Sequence, residues 1–187
     1  MSRKKQYVEE YVLAKAMNLF WIKGYENTSM QMLEKEMGIN KFSIYSSFGS
    51  KNGLFIESLK FYREKVSKIT SELEASSVGV LAIKQYFYKF LKLSAGKGFG
   101  KGCLITNTLN EIDKETDKDI VIQVENFRDD LKQIFFNKLM LNSVENSKVV
   151  EKQADYLLIS MIGLSSASRV CNNIQLENYI ENTFNRL

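Results

Sequence analysis

The chain has 187 residues, 44% of them hydrophobic, which suffices for one sizeable domain or two small ones and excludes an intrinsically disordered protein. It contains neither proline nor histidine. A chain without proline is unusual among loop-rich and all-β proteins, and a chain without histidine lacks the commonest general base and zinc ligand. We therefore expect a helical protein that is not an enzyme and that holds no metal and no cofactor.

The formal net charge is +4, and most of the excess lies in the first quarter of the chain. Residues 1–51 carry eight basic and five acidic side chains, a net charge of +3, which leaves +1 for the remaining 136 residues. This excess indicates an anionic partner for the N-terminal segment. A chance fluctuation in a lysine-rich composition is the alternative.

The sequence shows no sign of export or of a membrane span. No apolar run approaches the roughly 18 residues that a span requires, and the basic residues 3–5 precede an amphipathic segment instead of the apolar block of a signal peptide. Cys103 and Cys171 match no metal-binding spacing. We expect a cytoplasmic protein with two reduced thiols.

Helical signals begin near the N-terminus. Apolar spacing predicts a first helix over residues 6–23, and Gly24 is placed to end it. A Thr-x-x-Gln capping box at residues 28–31 predicts the start of a second helix. Gly38 is expected to end that helix in the left-handed conformation.

A third short helix follows almost at once. Asn40 is placed to cap it, and Ile44 and Phe48, four residues apart, are expected to hold it on the domain. Ser50 can cap a long fourth helix. Two short helices joined by a tight glycine-containing turn form a helix-turn-helix, which we place in a domain of residues 1–50.

The rest of the chain is predicted to be helical as well, in a larger domain of residues 51–187. A glycine loop at residues 96–102 lacks the order of phosphate-binding motifs and is interpreted as a mobile connector. The fold class is all-α, with about nine helices and no strand. After the fourth helix, the predicted helices cover residues 80–93, 103–112, 117–141, 148–173 and 176–187.

The third helix carries side chains suited to DNA. In a helix-turn-helix the second helix enters the major groove with its N-terminal residues towards the base edges. Lys41 can donate to guanine or to a phosphate, Phe42 can contact a thymine methyl group, and Ser43 can pair with several edges. These three residues are the predicted base-reading positions.

Short hydroxyl and ammonium donors surround these positions and suit the phosphates of the DNA backbone. The alternative interpretation is that the tyrosine and the serines merely cover a protein surface. The predicted phosphate contacts are Thr28, Ser29, Tyr45, Ser46, Ser47 and Lys51.

Over roughly residues 8–55 the sequence resembles the N-terminal DNA-binding domain of the TetR family of transcriptional regulators. The resemblance implies a larger helical ligand-binding and dimerisation domain and DNA contacts from Thr28, Ser29, Lys41, Phe42, Ser43, Tyr45, Ser46 and Lys51. The residues that carry it are Ala16, Leu19, Phe20, Gly24, Tyr25, Thr28, Ser29, Met30, Leu33, Gly38, Ile39, Tyr45, Phe48, Ser50, Lys51 and Leu54.

The sequence departs from the family pattern at four positions. The family often has a small residue at Phe42, alanine at Glu34, histidine at Ser47 and glutamate at Asn52. These differences affect the expected operator sequence rather than the mode of binding.

A helix-turn-helix reads few bases alone, so we expect a homodimer on palindromic double-stranded DNA. The small residues 163–168 and the apolar stripe Leu176, Ile180, Phe184 and Leu187 are the predicted dimer interface. The alternative is that both segments pack inside one subunit. In the family a small-molecule inducer binds among the middle helices, and their aromatic residues favour an apolar or aromatic inducer here.

Cys103 follows the glycine loop at the start of a short helix, where Lys101 and the helix N-terminus are expected to lower the pKa of its thiol. The stretch is similar to one in a TetR subgroup that senses electrophiles. A buried structural cysteine is the alternative interpretation.

The functional prediction is a sequence-specific transcriptional regulator, a repressor released by an inducer. The alternatives are regulation through Cys103, non-specific DNA binding, and an enzyme that uses Cys103, Glu111 or Asp113.

Overall fold

The computed structural model describes residues 8–96, 99–113, 115–141, 143–185 and 187, and the predicted basic cluster at residues 3–5 lies outside these ranges. The all-α prediction is confirmed: within the described ranges the chain forms nine helices and no strand. None of these helices is long and apolar enough to cross a membrane. The helices are α1 Glu9–Lys23, α2 Met30–Met37, α3 Lys41–Phe48, α4 Lys51–Ala75, α5 Gly79–Ser94, α6 Leu104–Leu109, α7 Lys118–Met140, α8 Ser147–Ala167 and α9 Asn173–Phe184.

Local capping groups determine the boundaries of α2, α3 and α4. Gly38 has φ 71° and ψ 24°, so the left-handed end predicted for α2 is confirmed. Asn40 accepts a hydrogen bond from the Ser43 N–H at 2.8 Å, and Ser50 accepts one from the Gly53 N–H at 2.9 Å. These caps satisfy backbone donors that a helix start leaves without a partner.

The cap of α2 differs from the prediction by one residue. Ser29, and not Thr28, accepts a hydrogen bond from the Met32 N–H at 3.2 Å. The Thr28 side chain is fully buried, and its hydroxyl donates to the Gly24 carbonyl oxygen at 2.6 Å. The predicted Thr-x-x-Gln box is therefore wrong, because Thr28 closes the loop before the helix instead of capping the helix.

The region from α4 onward is a helical bundle in which α7 packs against α8, α4 and α5, while α4 also packs along α1. A buried lysine, Lys138 of α7, lies at the end of α4. Its ammonium group donates to the carbonyl oxygens of Glu74 at 2.7 Å and Ser76 at 2.6 Å. Lys138 thereby satisfies backbone acceptors that the C-terminus of α4 leaves open.

The described part of the glycine loop is bonded to its neighbours. The Gly100 N–H donates to the Ser168 carbonyl and the Lys101 N–H to the Ser94 carbonyl, both at 2.8 Å. The predicted mobile connector is therefore anchored at Gly100 and Lys101, while residues 97 and 98 lie outside the described ranges.

The C-terminal helices correct two further predictions. The helix α8 ends at Ala167 instead of residue 173. A new helix, α9, starts soon afterwards, where Asn172 forms a capping box with Gln175. Leu176 and Ile180 are buried within the same subunit, where α9 packs on α5 and α8. The apolar stripe predicted for the dimer interface thus belongs largely to the subunit core.

Candidate DNA-binding surface and ligand cavity

The third helix separates a buried face from an exposed one. Ile44 is fully buried, whereas the Phe42 side chain is 80% exposed and Lys41, Tyr45 and Ser46 are also exposed. Leaving an aromatic ring such as that of Phe42 in water forgoes about 1.5–3 kcal/mol of burial free energy. The predicted base-reading and phosphate-binding side chains of α3 therefore form one outward surface, with Ser43 half-buried at its edge.

Two charged groups flank the start of this surface. The Lys41 ammonium lies 5.7 Å from the centroid of the Tyr45 ring, which holds both side chains on the same side of α3. The Glu34 carboxylate accepts a hydrogen bond from the Lys41 backbone N–H. Glu34, where the family often has alanine, thus places a negative charge at the N-terminus of α3, which the helix dipole favours.

Lys51 stands at the first position of α4, beside the turn that follows α3. Its ammonium lies 4.2 Å from the centroid of the Tyr25 ring. Partial burial lowers the pKa of Lys51, and the carboxylates of Glu26 and Glu111 oppose that shift. Lys51 is therefore held between the predicted DNA-binding surface and an acidic group of residues behind it.

Ser29 and Thr28, predicted DNA contacts in the N-terminal region, occupy different environments. Ser29 is exposed and serves as the cap of α2. Thr28 is buried with its hydroxyl bonded to Gly24, so this structure corrects its predicted role: the side chain presents no surface for a phosphate.

A polar network joins the N-terminal region to the loop between α6 and α7. The Tyr25 hydroxyl donates to the Asn52 side-chain oxygen, and the Asn52 amide donates to the Asp117 carboxylate at 3.1 Å. Glu111 accepts a hydrogen bond from the Glu26 N–H at 3.0 Å. Glu111, considered earlier as a catalytic group, therefore has a structural role at this junction.

Asp113, the second carboxylate considered for catalysis, also makes local contacts. It accepts hydrogen bonds from the Thr116 hydroxyl and the Glu115 N–H, both at 2.9 Å. These bonds, the Thr116 side chain first, lower the pKa of the exposed Asp113 carboxyl. A carboxylate with a lowered pKa in the open is a poor general base.

A cavity lies among α4, α5, α6, α7 and α8. Its volume is only about 30 Å³, so the side chains around it are closely packed. Four of the aromatic residues expected around an inducer line it: Tyr62, Tyr86, Phe90 and Phe127. The Cys103 thiol and the Arg128 side chain also reach its wall.

Cys103 is buried, and burial raises the pKa of its thiol above its usual value, although the neighbouring Tyr62 and Thr106 groups act in the opposite direction. The expected lowering by Lys101 is wrong, because the Lys101 ammonium lies 4.0 Å above the Trp21 ring and bonds to Asn18. The Cys103 N–H donates to the Ser165 hydroxyl at 2.9 Å. These contacts are those of a structural cysteine.

Apolar side chains remain exposed along one face of α8. Ile159 is 67% exposed, Tyr156 and Gly163 are also exposed, and Val170 continues the stripe beyond the end of the helix. These residues lie three, four and seven positions apart and therefore share a side of the helix. Exposed apolar stripes of this kind mark interaction surfaces.

These features define an all-helical protein with an N-terminal helix-turn-helix and a C-terminal bundle that encloses a cavity. Residues 12–57 match the family described as bacterial regulatory proteins, tetR family. The N-terminal region of the chain therefore belongs to this family.

Curated relatives match different lengths of the chain. An uncharacterized HTH-type transcriptional regulator of Bacillus subtilis, YezE, is 33% identical over 112 residues, 59% of this chain and 58% of its own length. The HTH-type transcriptional repressor BdcR of Escherichia coli is 23% identical over 175 residues, 92% of this chain and 85% of its own. With YezE, and with the E. coli repressor ComR, the match spans little more than half of the relative.

Solved structures share the fold along nearly the whole chain. A cysteine mutant of the TetR-family regulator CifR, complexed with operator DNA, has a TM-score of 0.86 and 20% identity, with 98% of both chains covered. The reduced form of E. coli NemR has a TM-score of 0.74 and 19% identity, with 94% of both chains covered. At these identities the likeness concerns the fold alone.

Several residues at these sites were not predicted from the sequence. Asn52 and Asp117 meet across 65 positions, and no local pattern signals such a pair. Tyr62 is predicted as a core and lining residue, and no sequence pattern indicates that its buried hydroxyl lacks a hydrogen-bond partner. Glu34 was recognised as a departure from the family, which was the one available signal of its contact with α3.

Proposed function

We propose that the protein is a sequence-specific DNA-binding transcriptional regulator, a repressor that a small molecule releases from a palindromic operator. The observation that carries the proposal is the exposed surface of α3, where Lys41, Phe42 and Tyr45 point outward while Ile44 anchors the helix. Such a helix presents donors and an apolar ring to the major groove.

The proposed contacts with DNA are of two kinds. Lys41, Phe42 and Ser43 read base edges, and the side chains around them bind phosphates. The proposed phosphate contacts are Ser29, Tyr45, Ser46 and Lys51. Lys51 is oriented by its stacking on Tyr25, so less side-chain freedom is lost when it meets a phosphate.

Selection of bound duplexes from a random DNA pool tests this proposal. We expect a palindrome to be enriched, since two copies of α3 read two half-sites one helical turn or a multiple of it apart. Recovery of unrelated sequences, together with a steep loss of binding in salt, would instead identify a non-specific DNA-binding protein.

The dimer is proposed to form through the exposed face of α8, with Tyr156, Ile159, Gly163 and Val170 at its centre. This face replaces the stripe of α9 expected earlier, because Leu176 and Ile180 already pack inside the subunit. Gly163 presents little more than backbone there and permits a second helix to approach closely. Light scattering is expected to give a particle of twice the 21.6 kDa chain mass.

Ile159→Glu tests the position of the interface. A carboxylate enclosed between two copies of α8 has no partner, so we expect the variant to be a folded monomer with weakened operator binding. Ile122→Glu is the matched control, since Ile122 is also exposed but lies on α7. If both variants remain dimers, the interface lies elsewhere on the subunit.

The second candidate is regulation through Cys103, which is favoured by the position of its thiol at the cavity wall. Because burial raises the pKa of Cys103, little thiolate is present near neutral pH and reaction with an alkylating reagent is slow. We expect Cys103 to react at least about tenfold more slowly than the partly exposed Cys171, and to accelerate as the pH rises through its raised pKa.

Mass spectrometry of the alkylated protein at several pH values measures both thiols at once. Regulation through Cys103 requires more: electrophile-induced release from DNA that is lost in Cys103→Ser and kept in Cys171→Ser. Unchanged release in Cys103→Ser removes this candidate and leaves reversible ligand binding.

A further inference from the structure

The Tyr62 side chain of α4 is fully buried and lines the cavity. Its hydroxyl is the one buried side-chain oxygen or nitrogen among the described residues that has no hydrogen-bond partner. Most buried polar atoms in native proteins are hydrogen-bonded, and leaving one without a partner destabilises the folded state. An unpaired hydroxyl at a cavity wall is therefore a candidate ligand-binding group.

The chemistry of the cavity defines what this hydroxyl can do. Burial raises the pKa of Tyr62 well above its usual value, so the phenol stays protonated and acts as a hydrogen-bond donor. The Cys103 thiol, a weak acceptor, and the Leu104 backbone lie close enough to influence this pKa, but neither makes a hydrogen bond of regular geometry with the hydroxyl.

Among the described residues, Arg128 is the only charged side chain at the cavity wall, and its guanidinium is paired with the Asp129 carboxylate at 3.0 Å. The rest of the wall is mainly hydrocarbon, with Val66, Phe90 and Leu131 among its members. A charged ligand would lose its hydration without gaining a free counter-ion, whereas a neutral apolar one would not.

We propose that the cavity takes a compact, uncharged, mainly apolar molecule that places a carbonyl-type acceptor on the Tyr62 hydroxyl. The inference rests on the proposed function, since it names the chemical class of the small molecule that the regulator senses. The cavity volume is only about 30 Å³, so the ligand enters by displacing side chains. Val66, Phe127 and Leu131 line both the cavity and an open groove between α4 and α7, so movement of these side chains would join the two.

The same tyrosine also touches the N-terminal region. The rings of Tyr62 and Trp21 meet edge to face, with centroids 4.9 Å apart. Trp21 is the one tryptophan of the chain, lies on α1 and donates from its indole N–H to the Gly102 carbonyl at 3.1 Å. A ligand that accepts a hydrogen bond from the Tyr62 hydroxyl therefore binds next to a residue that contacts α1. Its binding is expected to change the fluorescence of Trp21.

Two isosteric probes separate the hydrogen bond from apolar burial. Acetophenone carries a ketone oxygen, and α-methylstyrene has the same shape with a methylene group in its place. By calorimetry on the DNA-free protein, we expect acetophenone to bind about three- to tenfold more tightly than α-methylstyrene. The preference is expected to disappear in Tyr62→Phe and to persist in the matched control Tyr88→Phe, whose hydroxyl faces Glu181 outside the cavity.

A thermal melt supplies a second, ligand-free measurement. Tyr62→Phe removes a hydroxyl that has no partner, so we expect its Tm to rise by about 2–4 °C. Tyr88→Phe removes a hydroxyl bonded to Glu181 at 2.7 Å and is expected to leave Tm unchanged or lower. A fall of Tm in Tyr62→Phe would show that the hydroxyl stabilises the protein itself and would overturn the proposal.

Three binding results also overturn it: equal affinity of both probes for the wild-type protein, an acetophenone preference retained in Tyr62→Phe, or no binding of either probe at millimolar concentration. None of these measurements involves DNA. Their failure therefore leaves the proposed operator binding intact, and the random-pool selection can fail while the cavity still binds acetophenone.

Discussion

The N-terminal region, α1 to α3, and the C-terminal region, α4 to α9, use their side chains in opposite ways. In α3 the groups proposed to bind a partner point outward and a single buried residue, Ile44, anchors them. In the C-terminal region the proposed ligand group, the Tyr62 hydroxyl, is buried and belongs to a residue that lines a cavity. A large charged polymer requires an accessible convex surface, while a small neutral molecule requires enclosure, and the two regions meet these needs separately.

The comparison teaches where stability and function are in conflict. The exposed Phe42 ring forgoes its burial free energy but adds no further destabilisation to the free protein, because water surrounds it. A buried hydroxyl without a partner weakens the fold directly. Removing an exposed functional group such as the Phe42 ring should therefore leave folding unharmed. Removing the buried, unpaired Tyr62 hydroxyl should increase stability.

The largest expected effect comes from the double substitution of Tyr45 and Lys51 by alanine. Each side chain is proposed to donate a hydrogen bond to a charged phosphate, so their loss should weaken operator binding by about a hundredfold or more. Gel-shift titration on the selected palindrome measures it. Lys84→Ala with Tyr88→Ala, a lysine and tyrosine pair on α5, is the control. Intact retention of DNA by the first variant would refute the assignment of α3 as the recognition helix.

A second comparison lies within α3 itself. Ile44→Ala removes a fully buried side chain and should lower the free energy of unfolding by about 2–5 kcal/mol. Phe42→Ala removes an exposed ring and should change it by less than about 0.5 kcal/mol, yet alter operator affinity. Urea denaturation and gel shifts on both variants measure the two effects. A stability loss in Phe42→Ala comparable to that in Ile44→Ala would contradict the division into two faces.

The smallest expected effect concerns Glu34, whose carboxylate caps the Lys41 N–H. Glu34→Gln keeps an acceptor oxygen but removes a negative charge beside the proposed DNA surface, so operator affinity should rise about two- to threefold at low salt. The gain should shrink between about 50 and 200 mM salt, because exposed charges are screened. Glu177→Gln on α9 provides the control. A gain that is independent of salt would point to altered packing instead of charge.

Predictability from sequence also differs between the two regions. The positions of Gly38, Asn40 and Ser50 were predicted correctly because caps and left-handed glycines act within four residues. The same reasoning misplaced the cap at Thr28. A threonine hydroxyl can accept from a backbone N–H of the helix that follows or donate to a preceding carbonyl, and that of Thr28 donates to the Gly24 carbonyl.

Long-range packing was beyond prediction. The stripe that includes Leu176 and Ile180 was recognised as apolar, but helical periodicity cannot tell whether such a face packs on its own subunit or on a second one. The lowered pKa expected for the Cys103 thiol is wrong for the same reason, because burial by α4, α5 and α8 opposes it, and the alternative interpretation, a buried structural cysteine, fits the structure. Lys101, adjacent in sequence, turns away to Trp21.

The bond from Lys138 to the last carbonyls of α4 has a mechanical consequence. With 25 residues, α4 is about 37 Å long, and its far end is clamped while its near end bears Lys51. A tilt of about 3° around the clamp would shift that near end by about 2 Å, a little over half of a base-pair step. Under the proposed function, a ligand beside Tyr62 that tilted α4 about this clamp would change the spacing of the two recognition helices on the duplex.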